Sequence, residues 1–471
     1  MTRRLFGTDG VRGVANEGDL SPERLVALGR AIGQVMHDSA RLLHQETKVR
    51  LPQAGTPQAD RGRARVLVGR DTRLSGPLVR DALIAGILAQ GISVVDGGVL
   101  PTPVVAHLTR RERFDVGIVI SASHNPVEDN GVKLFSASGL KLPDAAERAI
   151  EELVEHPPET WEARTGAGVG DHVAWAEAAD SYVADVVARH QPRLSLAGKR
   201  IVVDCANGAT HRIAPRVFEG LGADVVALSV APDGVNINRR CGALHPQGVA
   251  RAVRREKASV GFAFDGDGDR LIAVDEAGHV RDGDFLLAVI GRDLKDEGKL
   301  PGSAVVSTVM ANIGLDVCLE HAGIRLVRAP VGDRYVLAEM LAGGYRLGGE
   351  QSGHVIFLDE STTGDAIITA LRLLEVIART GKPLGQLSSV MRKFPQVLVN
   401  VRVRSKPPLE TVPRVQDEVR AVEERLAGKG RLVLRYSGTE PLARVMVEGP
   451  NKAEILRDAK QIAEVIEREL G

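Results

Sequence analysis

Two stretches far apart in the chain carry complementary chemistry. Ser121-Ala122-Ser123-His124-Asn125-Pro126 puts hydroxyls in a turn-prone loop directly after the apolar run Val116-Gly117-Ile118-Val119-Ile120. Asp265-Gly266-Asp267-Gly268-Asp269-Arg270 offers three carboxylates at alternate positions, with glycines that let a tight loop turn them inward. Such a set suits a hard divalent cation such as Mg²⁺. Together the two motifs suggest a serine that carries a phosphoryl group beside a metal. The acidic loop has a competitor in the calcium EF-hand, since its acids fall at loop positions one, three and five and Glu276 at position twelve. Arg270, however, stands where that loop needs glycine, and Leu271-Ile272-Ala273-Val274 reads as a strand where a helix should follow. Ser123 by itself reads equally as a turn or capping serine, and no Gly-x-Ser-x-Gly elbow marks a hydrolase. Its place at the C-terminal end of a strand, where ligands of doubly wound sheets collect, raises its standing. Lys133 follows shortly after as a proton donor or phosphate partner, or as a solvated lysine.

Three further groups are each ambiguous alone. Gly348-Gly349-Glu350-Gln351-Ser352-Gly353-His354 combines a carboxylate, a hydroxyl and an imidazole, a set that grips sugar hydroxyls and moves a proton, or forms a polar turn. Arg435-Tyr436-Ser437-Gly438-Thr439-Glu440-Pro441, with Arg444, makes a phosphate cradle of hydroxyls, backbone N–H groups and guanidinium donors, or a plain turn. Phe6-Gly7-Thr8-Asp9-Gly10-Val11-Arg12-Gly13 presents Arg12 on a glycine-rich loop, within reach of a phosphate or of solvent.

The elements that must position these loops follow one plan three times: apolar strand, polar turn, helix, glycine, second strand. The first copy runs from Val66-Leu67-Val68 through a helix near 77–89 to Gly91-Ile92-Ser93-Val94-Val95. The second runs from Ile201-Val202-Val203 through 213–220 to Val225-Val226, and the third from Ala304-Val305-Val306 through 313–321 to Leu326-Val327. Unbroken β-branched runs joined by helices predict mainly parallel sheets covered on both faces. Ser21-Pro22 opens a predicted helix whose Leu25, Leu28, Ile32, Val35 and Met36 face a core. Residues 41–65 read as an exposed, mobile loop and 156–172 as a linker. After about residue 390 a strand (397–403), a helix (409–426), two strands (432–436, 444–448) and a closing helix (452–470) predict a small α+β unit. The expected fold is therefore three related α/β domains with mixed, mainly parallel sheets plus a C-terminal α+β domain. Its expected boundaries are 1–172, 173–277, 278–390 and 391–471.

Bulk composition narrows the function classes. The 471 residues accommodate about three to four domains. Lys+Arg and Asp+Glu number 61 each, so no global field favours nucleic acid or anionic membrane, and any polyanion site is local. Cys205, Cys241 and Cys318 are too few and too scattered for a disulfide framework or a zinc site. Without a signal-like N-terminus or a membrane-length apolar run, the chain reads as soluble and cytoplasmic.

The five loops, in this order, resemble those of the α-D-phosphohexomutase superfamily over nearly the whole chain. Within it Gly349–His354, Thr362-Thr363-Gly364-Asp365 and Val331-Gly332-Asp333-Arg334-Tyr335 are similar to the branch that interconverts glucosamine 6-phosphate and glucosamine 1-phosphate. Phosphomannomutase/phosphoglucomutase relatives usually carry another residue at 351, and that activity is the alternative. A calcium- or sugar-binding module without catalysis is the rival of another class. The resemblance implies an isomerase with four domains around one cleft. Ser123 would be the phosphoserine, with its phosphate and Asp265, Asp267 and Asp269 holding one Mg²⁺. Lys133 and His354 become acid/base candidates, and Arg12, His124 and Arg270 lie near the phosphoserine. Glu350 and Ser352 match the sugar loop, while Arg435, Ser437, Gly438, Thr439 and Arg444 match the distal phosphate loop. A 1,6-bisphosphate of glucose or glucosamine is implied as activator or intermediate, on the way to UDP-N-acetylglucosamine and peptidoglycan precursors. Phosphosugars are the implied partners, with neither nucleic acid nor membrane, and the oligomer is open between monomer and homodimer. Two departures stand out. Pro330 occupies a position where the family usually has lysine, so a phosphosugar contact implied there is missing or supplied by another residue such as Arg328, and the 41–65 loop is longer than the family implies.

Overall fold

The computed structural model describes residues 5–7, 9–38, 40–43, 63–437 and 441–471. Most of the expected 41–65 loop lies outside that set. Of the rest, Ala40–Leu43 forms a 3₁₀ turn with Leu43 buried, and Arg65 already belongs to a strand, so neither end is an exposed loop.

Four sheets organise the chain. The first contains β1 (Val11–Val14), β2 (Arg65–Arg70), β3 (Ser93–Val99), β4 (Val116–Ile120), β5 (Asp129–Ser136) and β6 (His172–Ala174), in the order β1-β5-β4-β2-β3-β6. The second contains β7 (Arg200–Asp204), β8 (Asp224–Leu228), β9 (Val260–Phe264), β10 (Leu271–Val274) and β11 (Val280–Arg281), ordered β11-β10-β9-β7-β8. The third contains β12 (Ala304–Thr308), β13 (Arg325–Ala329), β14 (Leu347–Gly349) and β15 (Val355–Phe357), ordered β13-β12-β14-β15.

A common pattern runs through these three. β2, β7 and β12 each pair in parallel with a strand on either side: β3 and β4, β8 and β9, β13 and β14. Each sheet then adds an antiparallel return strand, β5, β10 or β15, beside the last of these. The helices Gly76–Ala89, Ala214–Gly220 and Ile313–His321 make the first crossovers, where the sequence pattern places them. Every residue of β4, β9 and β12 is buried, as strands covered on both faces require. One continuous core unites the three sheets, containing Leu67 and Val104, Ile201 and Phe262, and Leu286 and Val305. The helix Pro22–Asp38 buries the five apolar residues expected of it on the other face of the first sheet.

The stretch expected as a linker is held along the first sheet. Trp161 stacks under Arg30, Gly170 N donates to Leu88 O, and β6 pairs in parallel with β3. The fourth sheet, β16 (Gln396–Arg402), β17 (Arg431–Tyr436) and β18 (Leu442–Glu448), is wholly antiparallel in the order β16-β18-β17. Helices Pro413–Leu426 and Lys452–Leu470 pack on it through Val415, Val422, Ile455 and Ile462. Among the described residues no helix is long and apolar enough to cross a membrane.

Candidate active site

Each α/β sheet sends the connection before its return strand to a common centre. Ser121–Pro126 lies between β4 and β5, Asp265–Arg270 between β9 and β10, and Glu350–His354 between β14 and β15. The serine and aspartate loops touch because Gly266 has no side chain: a Cβ there would lie 2.6 Å from the carbonyl oxygen of Ser123. Arg270 and His354 form an isolated antiparallel bridge that joins the second and third loops.

Ser123 adopts a left-handed φ of 53° and is buried. Its Oγ donates to Asp265 Oδ2 at 2.6 Å and lies 3.2 Å from His124 Nδ1. Neighbours in an extended strand point apart, and it is the left-handed turn that brings this pair together. Burial, with Arg270 and Arg12 nearby, lowers the His124 imidazole to about 4, so it faces the serine neutral.

Asp265, Asp267 and Asp269 are all buried, with one oxygen of each lying within 4.8 Å of the others. Burial and the charges of Asp269 and Asp267 push the Asp265 carboxyl well above its usual range. Burial works in the same direction on Asp269, but Lys133 and His354 carry it well below. Asp267 Oδ1 and Asp269 Oδ1 are buried without a hydrogen-bond partner among the described residues. Three buried carboxylates at this spacing, two of them with an orphaned oxygen, fit a hard dication that would neutralise the cluster. The return strand after the loop excludes EF-hand geometry, and Glu276 is exposed and accepts from Gly385 N instead.

Lys133, on β5, is 2% exposed and touches Asp267 (2.9 Å), Asp9 (3.0 Å) and Asp269 (3.4 Å). Burial disfavours its charge, but these carboxylates overcompensate and hold it well above the ordinary lysine range. Arg12 pairs with Asp9 and donates to Ala122 O at 3.4 Å. His354 accepts from Gly364 N at Nε2 (3.1 Å), which leaves Nδ1 to carry the proton of the neutral ring, 3.7 Å from Asp269. Burial opposes a second proton on His354, but Asp269, Asp333 and Glu350 raise its affinity above the ordinary value. Asp265 and His124 therefore lie within hydrogen-bond range of Ser123 Oγ, whereas Lys133 and His354 each reach the carboxylate cluster.

In the third loop, Glu350 accepts from Gly332 N (3.3 Å), and the buried Ser352 Oγ has no hydrogen-bond partner among the described residues. Gln351 turns away, donating to Asp284 at 2.9 Å. Arg328 is committed to the carbonyls of Thr308 (3.0 Å) and Ala311 (3.3 Å) and to Asp316. Beside Val331–Tyr335, Lys141 lies 2.5 Å from Asp333 and 2.6 Å from Asp9. Arg435 and Arg444 are cross-strand partners on β17 and β18, and Arg444 donates to Ser437 Oγ at 3.4 Å. These form a group of their own on the fourth sheet, sharing no member with the aspartate cluster. Thr8, Gly438, Thr439 and Glu440 lie outside the described residues.

Sequence reasoning missed several partners. Thr102 Oγ1 donates to Asp267 at 2.6 Å, Asn238 Nδ2 donates to Ser123 O at 2.9 Å, and Asp71 with Arg73 lies beneath the serine loop. Each acts through a loop that is distant in sequence, and none belongs to a chemically patterned stretch.

Residues 3–160, 180–278, 282–394 and 398–465 match, in order, the phosphoglucomutase/phosphomannomutase α/β/α domains I, II and III and the C-terminal domain. The chain is 46% identical to a phosphoglucosamine mutase of Pelobacter propionicus, covering 100% of this chain and 99% of that protein. It is 50% identical to one of Symbiobacterium thermophilum, covering 99% of each. A phosphoglucomutase/phosphomannomutase family protein of Burkholderia thailandensis superposes with a TM-score of 0.77 at 25% identity, covering 100% of this chain and 99% of that one.

Proposed function

The chain belongs to the phosphoglucosamine mutase family, and from that premise we propose that it interconverts glucosamine 6-phosphate and glucosamine 1-phosphate through a phosphorylated Ser123. The observation that carries the mechanism is the 2.6 Å contact of Ser123 Oγ with Asp265 inside a cluster of three buried carboxylates. Phosphoryl transfer needs in-line positioning and charge neutralisation more than covalent machinery, and the convergence of serine, carboxylates and cations supports that reading. Mg²⁺ held by Asp265, Asp267 and Asp269 would cover charge on the transferring phosphoryl group. The P–O bond to Ser123 breaks as one forms to O1 of the sugar, giving a 1,6-bisphosphate, and the O1 proton passes to a base. After the sugar turns over, the 6-phosphoryl group returns to Ser123.

Lys133, Arg12 and Arg270 neutralise the phosphoryl oxygens, and His354 and Lys133 serve as the acid/base groups. Neutral His124 hydrogen-bonds the serine. Glu350 and Ser352 hold sugar hydroxyls, and Arg435, Ser437, Gly438, Thr439 and Arg444 grip the phosphate that is not reacting. We divide the chain for this purpose at 1–172, 173–277, 278–390 and 391–471, and place the enzyme in the cytoplasm.

The test is turnover of glucosamine 6-phosphate with Mg²⁺, with and without glucose 1,6-bisphosphate, beside Ser123→Ala. Dephosphorylated enzyme should be silent until the bisphosphate is added, and Ser123→Ala silent throughout. Turnover by dephosphorylated enzyme without a donor would sink the mechanism, and preference for glucose or mannose phosphates would move the substrate.

A further inference from the structure

The serine loop is organised by a residue that touches none of the reacting groups. Arg73 is 1% exposed, and all five of its guanidinium N–H donors are used. Nε donates to Asp71 Oδ2 at 2.9 Å. One terminal nitrogen donates to Asp129 O (3.0 Å) and Pro126 O, and the other to Asn125 O (2.9 Å) and Ser123 O (3.1 Å). Four carbonyls, three from the serine loop and one from the first residue of β5, thus converge on a single planar fork, a geometry that the one nitrogen of lysine does not reproduce.

Asp71 closes the circuit. Its Oδ1 accepts from Arg73 N (2.9 Å), and its Oδ2 accepts from Ser121 Oγ (2.7 Å). Ser121 Oγ in turn accepts from Ser123 N (2.9 Å). Both backbone groups of Ser123 are therefore tied to the same Asp–Arg pair, the N–H through Ser121 and the carbonyl directly. A non-glycine residue with positive φ persists only where its surroundings over-determine it, and this pair supplies that constraint. An ion pair with both side chains fully buried is weak evidence for stability, so its presence calls for another reason.

We propose that Arg73, anchored by Asp71, is a positioning residue that holds Ser123 in its left-handed conformation and so aims Oγ at the aspartate cluster. The proposal rests on the reading of Ser123 as the phosphoryl carrier.

The test is Arg73→Lys, followed by intact-mass measurement of Ser123 phosphorylation by glucose 1,6-bisphosphate. In that step a sugar P–O bond breaks, a P–Oγ bond forms, and the Oγ proton passes to the sugar oxygen. A misplacement of about 1 Å costs ~100-fold in rate, and that is the expected loss. The half-saturating bisphosphate concentration and Mn²⁺ binding to the aspartates should stay within about threefold of wild type, a split that general destabilisation does not produce. A folded Arg73→Lys variant phosphorylated at the wild-type rate overturns the proposal. Should that variant not fold, Ser121→Ala decides, because it cuts the N–H link and leaves Arg73 and Asp71 in place. A loss of about tenfold or more supports the proposal, and an unchanged rate overturns it. If wild type itself takes no phosphate at Ser123, the proposal falls with the reaction on which it rests. That case is distinct because wild type and variant then fail alike.

Discussion

Asp267 shows how one side chain serves several masters. Its Oδ2 accepts from Thr102 and Lys133, while its Oδ1 is buried and has no hydrogen-bond partner among the described residues. Asp267→Asn keeps the volume and the Thr102 contact but removes the charge and adds donors beside Lys133. We expect divalent-metal affinity to fall by more than ~100-fold and turnover to fall with it, with little change in melting temperature. Isothermal titration with Mg²⁺ or Mn²⁺ checks the first, and an unaltered affinity would remove Asp267 from the proposed metal site. The three aspartates and Ser123 were legible because their types and spacing are themselves chemical statements. Arg73 and Asn238 were not, because their importance lies in backbone carbonyls 50 and 115 residues away. The surroundings of Arg328 were equally illegible: it is committed to the carbonyls of Thr308 and Ala311, and Lys141, from the turn after β5, reaches Asp333 from 192 residues away.

Among the elements, the strand–helix–strand repeats were plain from β-branched runs and helical spacing, and their parallel pairing followed. The return strands were harder to see. β5 mixes Asp, Asn, Lys and Ser with its apolar residues, and β14 and β15 are three residues each, below the length at which alternation gives a signal. The helix Ala366–Thr380 adds a pH-dependent feature. Its N-cap, Asp365, accepts from Ile367 N and Ile368 N and from the Tyr182 hydroxyl, yet burial raises its carboxyl to about 6. A raised carboxyl contributes stability fully below the ordinary value of 3.8 and loses it as pH rises through about 6. Asparagine keeps the cap without the buried charge. Asp365→Asn should therefore be more stable than wild type above pH 6, by on the order of 2–3 kcal/mol, with the gap closing near pH 4. Denaturant melts at the two pH values measure it, and an equal gap at both would refute the assignment.

The whole molecule is fastened at the junctions between its sheets. Arg334 pairs with Asp144 and Glu147, Thr362 donates to Gly139 O, and Glu448 of the fourth sheet accepts from Ile313 N at the start of the third unit's helix. Another junction titrates. His190 is fully buried, 2.8 Å from Glu375 and 3.3 Å from Glu360, with Arg193 and Arg372 sharing those carboxylates. Burial disfavours its charge, but the two glutamates carry its affinity for a proton above the ordinary 6.5. That raised value contributes stability fully below 6.5, and the contribution fades as pH rises through the folded-state value. Melting temperature should accordingly decline across that window in wild type, and His190→Gln should flatten this part of the profile. Calorimetry between about pH 6 and 9 would show it, and parallel profiles would count against the junction. None of this was visible in the sequence, where His190 is one polar residue at the end of a helix. The three equivalent loops carry a different consequence. On the proposed reading each copy of the repeat practises one trade: one presents the hydroxyl of Ser123, one the three carboxylates, and one the loop of Glu350 and Ser352 proposed to hold the sugar. A lineage that changes its diet can therefore retool the last copy while inheriting the other two unedited.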